Sequence, residues 1–302
     1  MKNELVVKYN GLINASYNLE VTEQRLILLS IVRARETGDG ITADSRLKIH
    51  ASDYMCAYGV DKHAAYKALK EAALNLFERQ FSFKEEYENT GKMGIVRSRW
   101  VSRIKYVDDL AILEITFSPD VVPLITRLEK HFTSYQLKQV SQLTSKYAIR
   151  LYEILMAWKE IGKTPIFQLD DFRYRLGLSD GEYKLMHQFK SRVLDTALNQ
   201  INEFTNISME YEQHKTGRAI TGLSFRFKFL KDERELPNKP ITLTEKQVLL
   251  FANKLAYDPE FSSKHAAVGE SYQDLEKRLS LLLVDPQNIQ KWSDDLKRVG
   301  YS

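Results

Sequence analysis

Apolar positions recur at helical spacing over residues 22–36. Leu26, Leu29, Ile31 and Val32 share one broad face there, and Thr22 stands as the predicted N-cap. Gly38-Asp39-Gly40 closes that helix. Leu47–Ile49 then predicts a short strand, Ser52–Tyr58 a helix capped by Ser52, and Lys62–Glu78 a longer helix. Alternation predicts strands over Gln80–Glu88 and Ile95–Tyr106 around the turn Asn89-Thr90-Gly91, with Asp108-Asp109 turning into Ala111–Phe117. A linking helix is expected in Asp120–Lys130, interrupted by Pro123. The same order then returns. Thr144–Glu160 is amphipathic through Tyr147, Leu151, Ile154, Leu155 and Trp158, and stops at Gly162. Pro165–Gln168 predicts a strand, Asp170–Leu176 a helix and Glu182–Phe204 a longer one. Ile207–Gln213 and Ile220–Leu230 form a hairpin through Lys215-Thr216-Gly217. Pro237 and Pro240 mark a linker, and amphipathic helices follow at Thr244–Ala256, Ser271–Val284 and Ile289–Val299.

The order repeats because the residues do. Ile49, Asp53-Tyr54 and Gly59-Val60 return as Phe167, Asp171-Phe172 and Gly177-Leu178, each 118 positions later. In the helices that come next, the register slips by two, from Leu69-Lys70 to Phe189-Lys190. Each copy reads as strand end, short helix, glycine turn, longer helix, with a hairpin after it. That is the build of a winged-helix DNA reader, and two in one chain suit successive grooves of one duplex. The expected fold is α+β: two tandem winged-helix domains related by internal duplication, plus a small helical C-terminal extension. The boundaries expected are 1–130, 131–235 and 236–302.

Composition alters this picture little. With 43% hydrophobic and 28% charged residues, 13 Gly and 7 Pro, the chain is globular rather than disordered. Apolar runs such as Leu26–Ile31 are too short to span a bilayer, and Met1-Lys2-Asn3-Glu4 opens no signal-peptide core, so a cytoplasmic protein is expected. A single cysteine, Cys56, excludes an internal disulfide; beside Met55 it reads as a small buried hydrophobe. The net charge of +4 is unevenly spread: 19 basic and 18 acidic groups in residues 1–130, 14 and 10 in 131–230, 11 and 12 in 231–302. The excess lies in the second repeat.

On a helical wheel of that repeat's long helix, Val193, Ala197, Ile201 and Phe204 cluster within about 80° and define the core side. Lys184, Gln188, Ser191, Arg192, Asp195 and Asn199 take the open side. The first turns of the second helix reach base edges in helix-turn-helix docking. Arg192 and Lys184 suit guanine O6 and N7, and Gln188 suits adenine N6 and N7. The competing reading is an ordinary solvated helix face. Lys215 and Arg218 flank Gly217 at the hairpin tip, where they suit phosphate or minor-groove contact as well as a plain solubilised turn. Lys146 and Lys163 are weaker phosphate candidates. In the first unit the long helix offers Lys62, His63, Lys67 and Glu71, a less donor-rich surface. Arg97, Arg99, Arg103 and Lys105 occupy odd positions of one predicted strand and so one face. Two readings of that stripe stand open: it tracks a DNA backbone, or it pairs with Glu85, Glu86 and Glu88 across the hairpin.

No enzyme signature emerges. Thr90-Gly91-Lys92 lacks the glycine spacing of a P-loop, and the six histidines show no metal-ligand pattern, so neither cofactor nor metal is expected. Ser45-x-x-Lys48 with Lys215-Thr216-Gly217 matches penicillin-recognising enzymes only superficially, because Ser-Asp-Asn is absent. Tyr66 and Tyr183 read as packing residues rather than nucleophiles. Several spaced segments carry a more specific likeness: Asn10-Gly11-Leu12-Ile13-Asn14-Ala15, Thr22-Glu23-Gln24-Arg25-Leu26, Arg99-Trp100-Val101-Ser102, and Phe189-Lys190-x-Arg192-Val193-Leu194 leading to Ile201-Asn202. Over residues 5–230 the chain resembles iteron-binding, theta-type plasmid replication initiators (Rep proteins). The resemblance implies a non-enzymatic initiator whose partners are double-stranded origin DNA, host replication initiator and helicase, and a second copy of itself. In that family the second winged helix makes the main sequence-specific contacts, while the first adds contacts and mediates dimerisation. Dimers bind an inverted-repeat operator and repress the initiator's own gene; monomers bind iterons and open the origin. Ser191 and Asp195-Thr196 stand where many relatives carry a further basic residue and a proline. The alternatives are a dedicated transcriptional repressor with two winged helices and a DNA-nicking initiator.

Overall fold

Residues 21–37 form a helix because Leu26, Ile27, Leu28, Leu29, Ile31 and Val32 are all buried, on a surface wider than one amphipathic stripe. The computed structural model describes residues 4–88, 90–126, 131–230, 245–267, 270–283, 288–289 and 292–300. In chain order the first half runs β1 (Leu5–Tyr9), α1 (Asn10–Ile13), β2 (Ser16–Tyr17), α2 (Val21–Thr37), β3 (Leu47–His50), α3 (Ala51–Tyr58), α4 (Lys62–Asn75), β4 (Gln80–Glu86), β5 (Met93–Arg99), β6 (Val101–Val107), β7 (Ile112–Phe117) and α5 (Val121–Thr126). It continues with β8 (Phe132–Gln136), α6 (Lys146–Met156), β9 (Phe167–Gln168), α7 (Leu169–Arg175), α8 (Met186–Phe189), a π-helical turn over Lys190–Leu194, α9 (Asp195–Phe204), β10 (Ile207–Thr216) and β11 (Ala219–Phe229).

The duplication is plain in the sheets. β3, β7 and β6 form one antiparallel sheet in that order, and β9, β11 and β10 form another. Each belongs with the same helix pair, so α2-β3-α3-α4-β6-β7 corresponds to α6-β9-α7-α8/α9-β10-β11. The hairpin β4–β5 is an insertion in the first copy and pairs with β2 in a sheet of its own. The single strand expected over Ile95–Tyr106 is therefore two. The chain leaves one sheet and enters the other at Trp100, which is fully buried against Tyr17 and Phe81. An indole cannot be exposed there, and its burial turns the chain.

Two predicted caps are corrected. Glu20 rather than Thr22 caps α2, its carboxylate and that of Glu23 reciprocating in a capping box; His50 rather than Ser52 caps α3 with Asp53. Cys56 is exposed on α3, because Ala51, Tyr54 and Tyr58 form that helix's buried side. The predicted linker at Pro237 and Pro240 and the end of the linking helix, residues 127–130, lie outside the described residues.

β8 pairs with β1 along its full length, and α6 packs on α9 on one side and on β8 on another. Every residue of α6 from Tyr147 to Met156 is buried. Its face opposite the second core carries Arg150 and Glu153, each 1% exposed, which meet Lys8 of β1, 2% exposed. Glu153 accepts from Lys8 (2.5 Å), Arg150 (2.6 Å), Tyr17 (2.9 Å) and Tyr135 (2.6 Å). Arg150 also donates to the carbonyls of Ile13, Ala15 and Arg175. Burial by itself raises the Glu153 carboxyl, but Lys8 and Arg150 overcome it and hold the group at about 2. A buried charge survives only with such partners. The described residues up to 230 thus cluster as one compact unit with a continuous core.

The described residues from 245 onward cluster separately. Helices α10 (Glu245–Ala256), α11 (Pro259–His265), α12 (Tyr272–Leu282) and α13 (Ser293–Arg298) enclose their own core of Phe251, Leu255, Phe261, Leu275, Leu279, Trp292 and Leu296. The helical extension expected there is present, with α11, opened by Pro259, in addition.

Candidate nucleic-acid interface

The second helix pair starts from core packing. Phe172 of α7 and Phe189 of α8 are fully buried and meet edge-on, with Phe225 of β11 beside Phe172. Each such ring is worth roughly 1.5–3 kcal/mol of burial. This fixes which way the long helix faces. Phe189, Val193, Leu194, Ala197 and Ile201 point inward, while Gln188, Ser191 and Arg192 are exposed. Arg192 makes no hydrogen bond or ion pair among the described residues. The expected single helix over Glu182–Phe204 begins only at Met186, and one π-helical turn interrupts it. That wider turn lets the consecutive Val193 and Leu194 both reach the core, and it rotates residues 195–204 away from their ideal wheel positions. Asp195, placed on the open side by the wheel, is half-buried and accepts from the Tyr211 hydroxyl at 2.9 Å. Burial and that carboxylate push the Tyr211 phenol up to about 12.

Lys184 is exposed but sits in the loop two residues before the helix, after a left-handed Tyr183 (φ 46°). It approaches from the turn rather than from the helix wheel. Lys215 and Arg218 are exposed at the tip of β10–β11, where Gly217 takes φ 62° with open space around it. Lys163 is exposed and bridges β11 at Arg226. Lys146 is different: its ammonium binds Asn18 (2.9 Å) and Glu20 (3.0 Å) at the seam between the winged helices. It leaves the set of phosphate candidates for that reason.

In the first winged helix, α4 exposes Lys62, His63 and Lys67, the last 3.7 Å from Glu71. The hairpin equivalent to β10–β11 is β6–β7, and its tip carries Asp108 and Asp109 in place of two cations. The predicted four-cation stripe is split by the Trp100 turn. Arg103 pairs with Glu114, whose carboxyl it draws below the usual range; Lys105 lies opposite Glu114 in register. Arg99 binds Glu78 at 2.7 Å and lies over Phe77. Arg97 is exposed without an ion pair among the described residues. None of the four pairs with Glu85, Glu86 or Glu88 in the described ion pairs. Sequence reasoning missed the Lys8–Glu153–Arg150 junction, since Arg150 and Glu153 read as the polar side of an amphipathic helix. Their i,i+3 spacing was the one available signal.

Among the described residues no three His, Cys, Asp or Glu side chains converge as metal ligands, and no helix is long and apolar enough to cross a membrane. Family models for the initiator replication protein's WH1 and WH2 match residues 5–156 and 168–227. The chain belongs to the replication-initiator family. The likeness read from residues 5–230 is thereby confirmed, as are two winged helices. The initiator is 28% identical over 225 residues to an uncharacterised 27.6 kDa protein of Escherichia coli, spanning 71% of this chain and 92% of that one. The Pi initiator protein, solved in complex with iteron DNA, matches with a TM-score of 0.57 at 22% identity, over 77% of this chain and all of that one. At that identity the likeness concerns the fold. The WH1 domain of MSBI1.176, a replication protein isolated from a multiple sclerosis patient, is 56% identical, covering 42% of this chain and 95% of the domain, with a TM-score of 0.35.

Proposed function

We infer that this initiator binds tandem iterons of a plasmid origin through its two winged helices, without catalysing a reaction itself. The observation that carries this reading is the exposed trio Gln188, Ser191 and Arg192, held outward by burial of Phe189 and Val193 on the same helix. Gln188 and Arg192 are the side chains suited to adenine and guanine edges. Lys215 and Arg218 at the wing tip, with Lys184 and Lys163, supply phosphate contacts. The first winged helix, with fewer free donors and an acidic hairpin tip, adds backbone contacts and mediates dimerisation. The Pi initiator's complex with iteron DNA supports the same use of the fold.

In this reading monomers open the origin and recruit host replication initiator and helicase, dimers repress the initiator's own gene, and the protein works in the cytoplasm. Footprinting on DNA flanking its gene tests the core of it. Regularly spaced protected repeats are expected, together with support of origin-dependent replication. Protection without replication would make the protein a dedicated repressor. Relaxed circles from supercoiled origin DNA, lost on tyrosine substitution, would make it a nicking enzyme.

A further inference from the structure

The turn at Trp100 leaves a recess in the corner between two sheets. β5 is the edge of one and β6 the edge of the other. Between them opens a hollow of about 410 Å³, lined by Arg97, Ser98, Arg99, Ser102, Ser118 and Phe77. Its charge is one-sided. Three serines and two guanidiniums contribute to the lining beside the apolar Phe77 and Val101, and Glu78, which is bound to Arg99, is the sole carboxylate touching these groups among the described residues. The charge of the cluster is therefore +1, the complement of one phosphodiester.

The groups are also held in place. Arg99 donates to the Phe77 carbonyl at 2.6 Å and to Glu78 at 2.7 Å through one terminal nitrogen, with its plane over the Phe77 ring. Its other N–H groups are unspent in the described bonds. Ser118 donates its proton to the Arg99 carbonyl, whereas Ser98 and Ser102 make only long contacts of 3.4 Å to the carbonyls of Arg99, Thr116 and Phe117, from which a ligand oxygen can draw them. Arg97 lines the recess as well, exposed and without a hydrogen bond or ion pair among the described residues. A planar fork that keeps donors in reserve beside clustered hydroxyls suits phosphate oxygens better than it suits solvent.

We propose that this recess is a phosphate site, in which Arg97 and Arg99 with the Ser98 and Ser102 hydroxyls hold a phosphate group of the DNA backbone or of a free nucleotide. Where the phosphate belongs to DNA, the proposal rests on the iteron-binding reading. It then gives the first winged helix a fixed backbone anchor that its acidic hairpin tip does not provide.

The test uses the full chain. Wild type, Arg97→Gln and Ser98→Ala are titrated onto a random-sequence duplex across a salt series, and separately with ATP and inorganic phosphate followed by ³¹P NMR. For a DNA phosphate, Arg97→Gln lowers the slope of log K against log salt by about 1. Ser98→Ala weakens binding about threefold to tenfold with the slope unchanged, and ATP does not bind. For a free nucleotide, ATP binds the wild type and both variants lose it, with the DNA slope unchanged. The site is overturned if neither ligand responds to Arg97→Gln, or if Ser98→Ala behaves as wild type throughout, which reduces Arg97 to diffuse surface charge. Should the wild type give no footprint on repeats, the iteron reading fails, while the nucleotide arm still decides the recess.

Discussion

Arg192 illustrates how much one side chain's position decides. It is exposed two turns into a helix whose next residue, Val193, is 1% exposed, so its direction is set by the core. Arg192→Ala is expected to cost specific-site binding about 1–3 kcal/mol and to relax preference at one base position, with random DNA little affected. Equal loss on both DNAs, measured by competition, would remove its base-reading role. Lys215→Ala should instead weaken all duplexes alike and lower the salt slope by about 1. A third residue acts on stability. Glu153→Gln strips the buried Lys8 and Arg150 of their carboxylate and is expected to cost about 3–5 kcal/mol in denaturant unfolding. The Glu153 carboxyl is held at about 2 against an ordinary 4.5, so its ionised form stabilises fully above about pH 4.5. That contribution fades as the pH falls towards 2. The variant should therefore lose the part of the acid-unfolding slope that lies between those values. At this scale Gln188, Ser191 and Arg192 were legible from period alone, whereas Lys184 and Asp195 were not, because the helix starts later and a π turn shifts its second half. Glu153 was not, because a wheel assigns a polar face to solvent and has no knowledge of a second domain packed there.

The two glycine turns of the duplication look alike in sequence and differ in what surrounds them. Gly59 (φ 61°) ends α3 with nothing within 4 Å of an added Cβ. Gly177 (φ 75°) comes just after α7, and a Cβ there would lie 1.9 Å from the Tyr17 carbonyl oxygen. Gly59→Ala should thus cost only the left-handed backbone penalty, about 1–2 kcal/mol. Gly177→Ala should cost clearly more and weaken the seam between the winged helices, seen as earlier thermal unfolding and faster proteolysis. Equal costs would contradict the packing. The helices α2, α4 and α6, both glycine turns and the second hairpin were readable because each is set by local pattern. The break at Trp100 was not: alternation runs unbroken through Ile95–Tyr106, and only the burial of the indole between sheets divides it. The π turn escaped for a similar reason, since it is the core's demand on Val193 and Leu194 together that opens it.

Over the whole molecule, the duplicated order α2-β3-α3-α4-β6-β7 and its second copy account for the architecture, and the internal repeat made that visible before any coordinate. The described residues up to 230 carry one continuous core and the helices from 245 another. A chain ending at Lys231 is accordingly expected to unfold cooperatively and to footprint repeats as the full chain does; a molten product by near-ultraviolet circular dichroism would refute this. The junction at Glu153 bears on how such proteins exchange parts. A hybrid spliced near residue 130 takes Lys8 and Tyr17 from one parent and Tyr135, Arg150 and Glu153 from another, and inherits mismatched ions unless both parents agree at all five. A splice between 157 and 166 keeps the five together. Two of the bonds that then cross the splice, from Arg150 to the Arg175 carbonyl and from Tyr174 to the Ser82 carbonyl, end on main-chain oxygens that any sequence supplies; the side-chain pairs Tyr147–Glu182, Tyr152–Asn206 and Arg175–Asn14 are among those the parents must share. Recombination between relatives should therefore leave viable mosaics with seams after α6, and few before it.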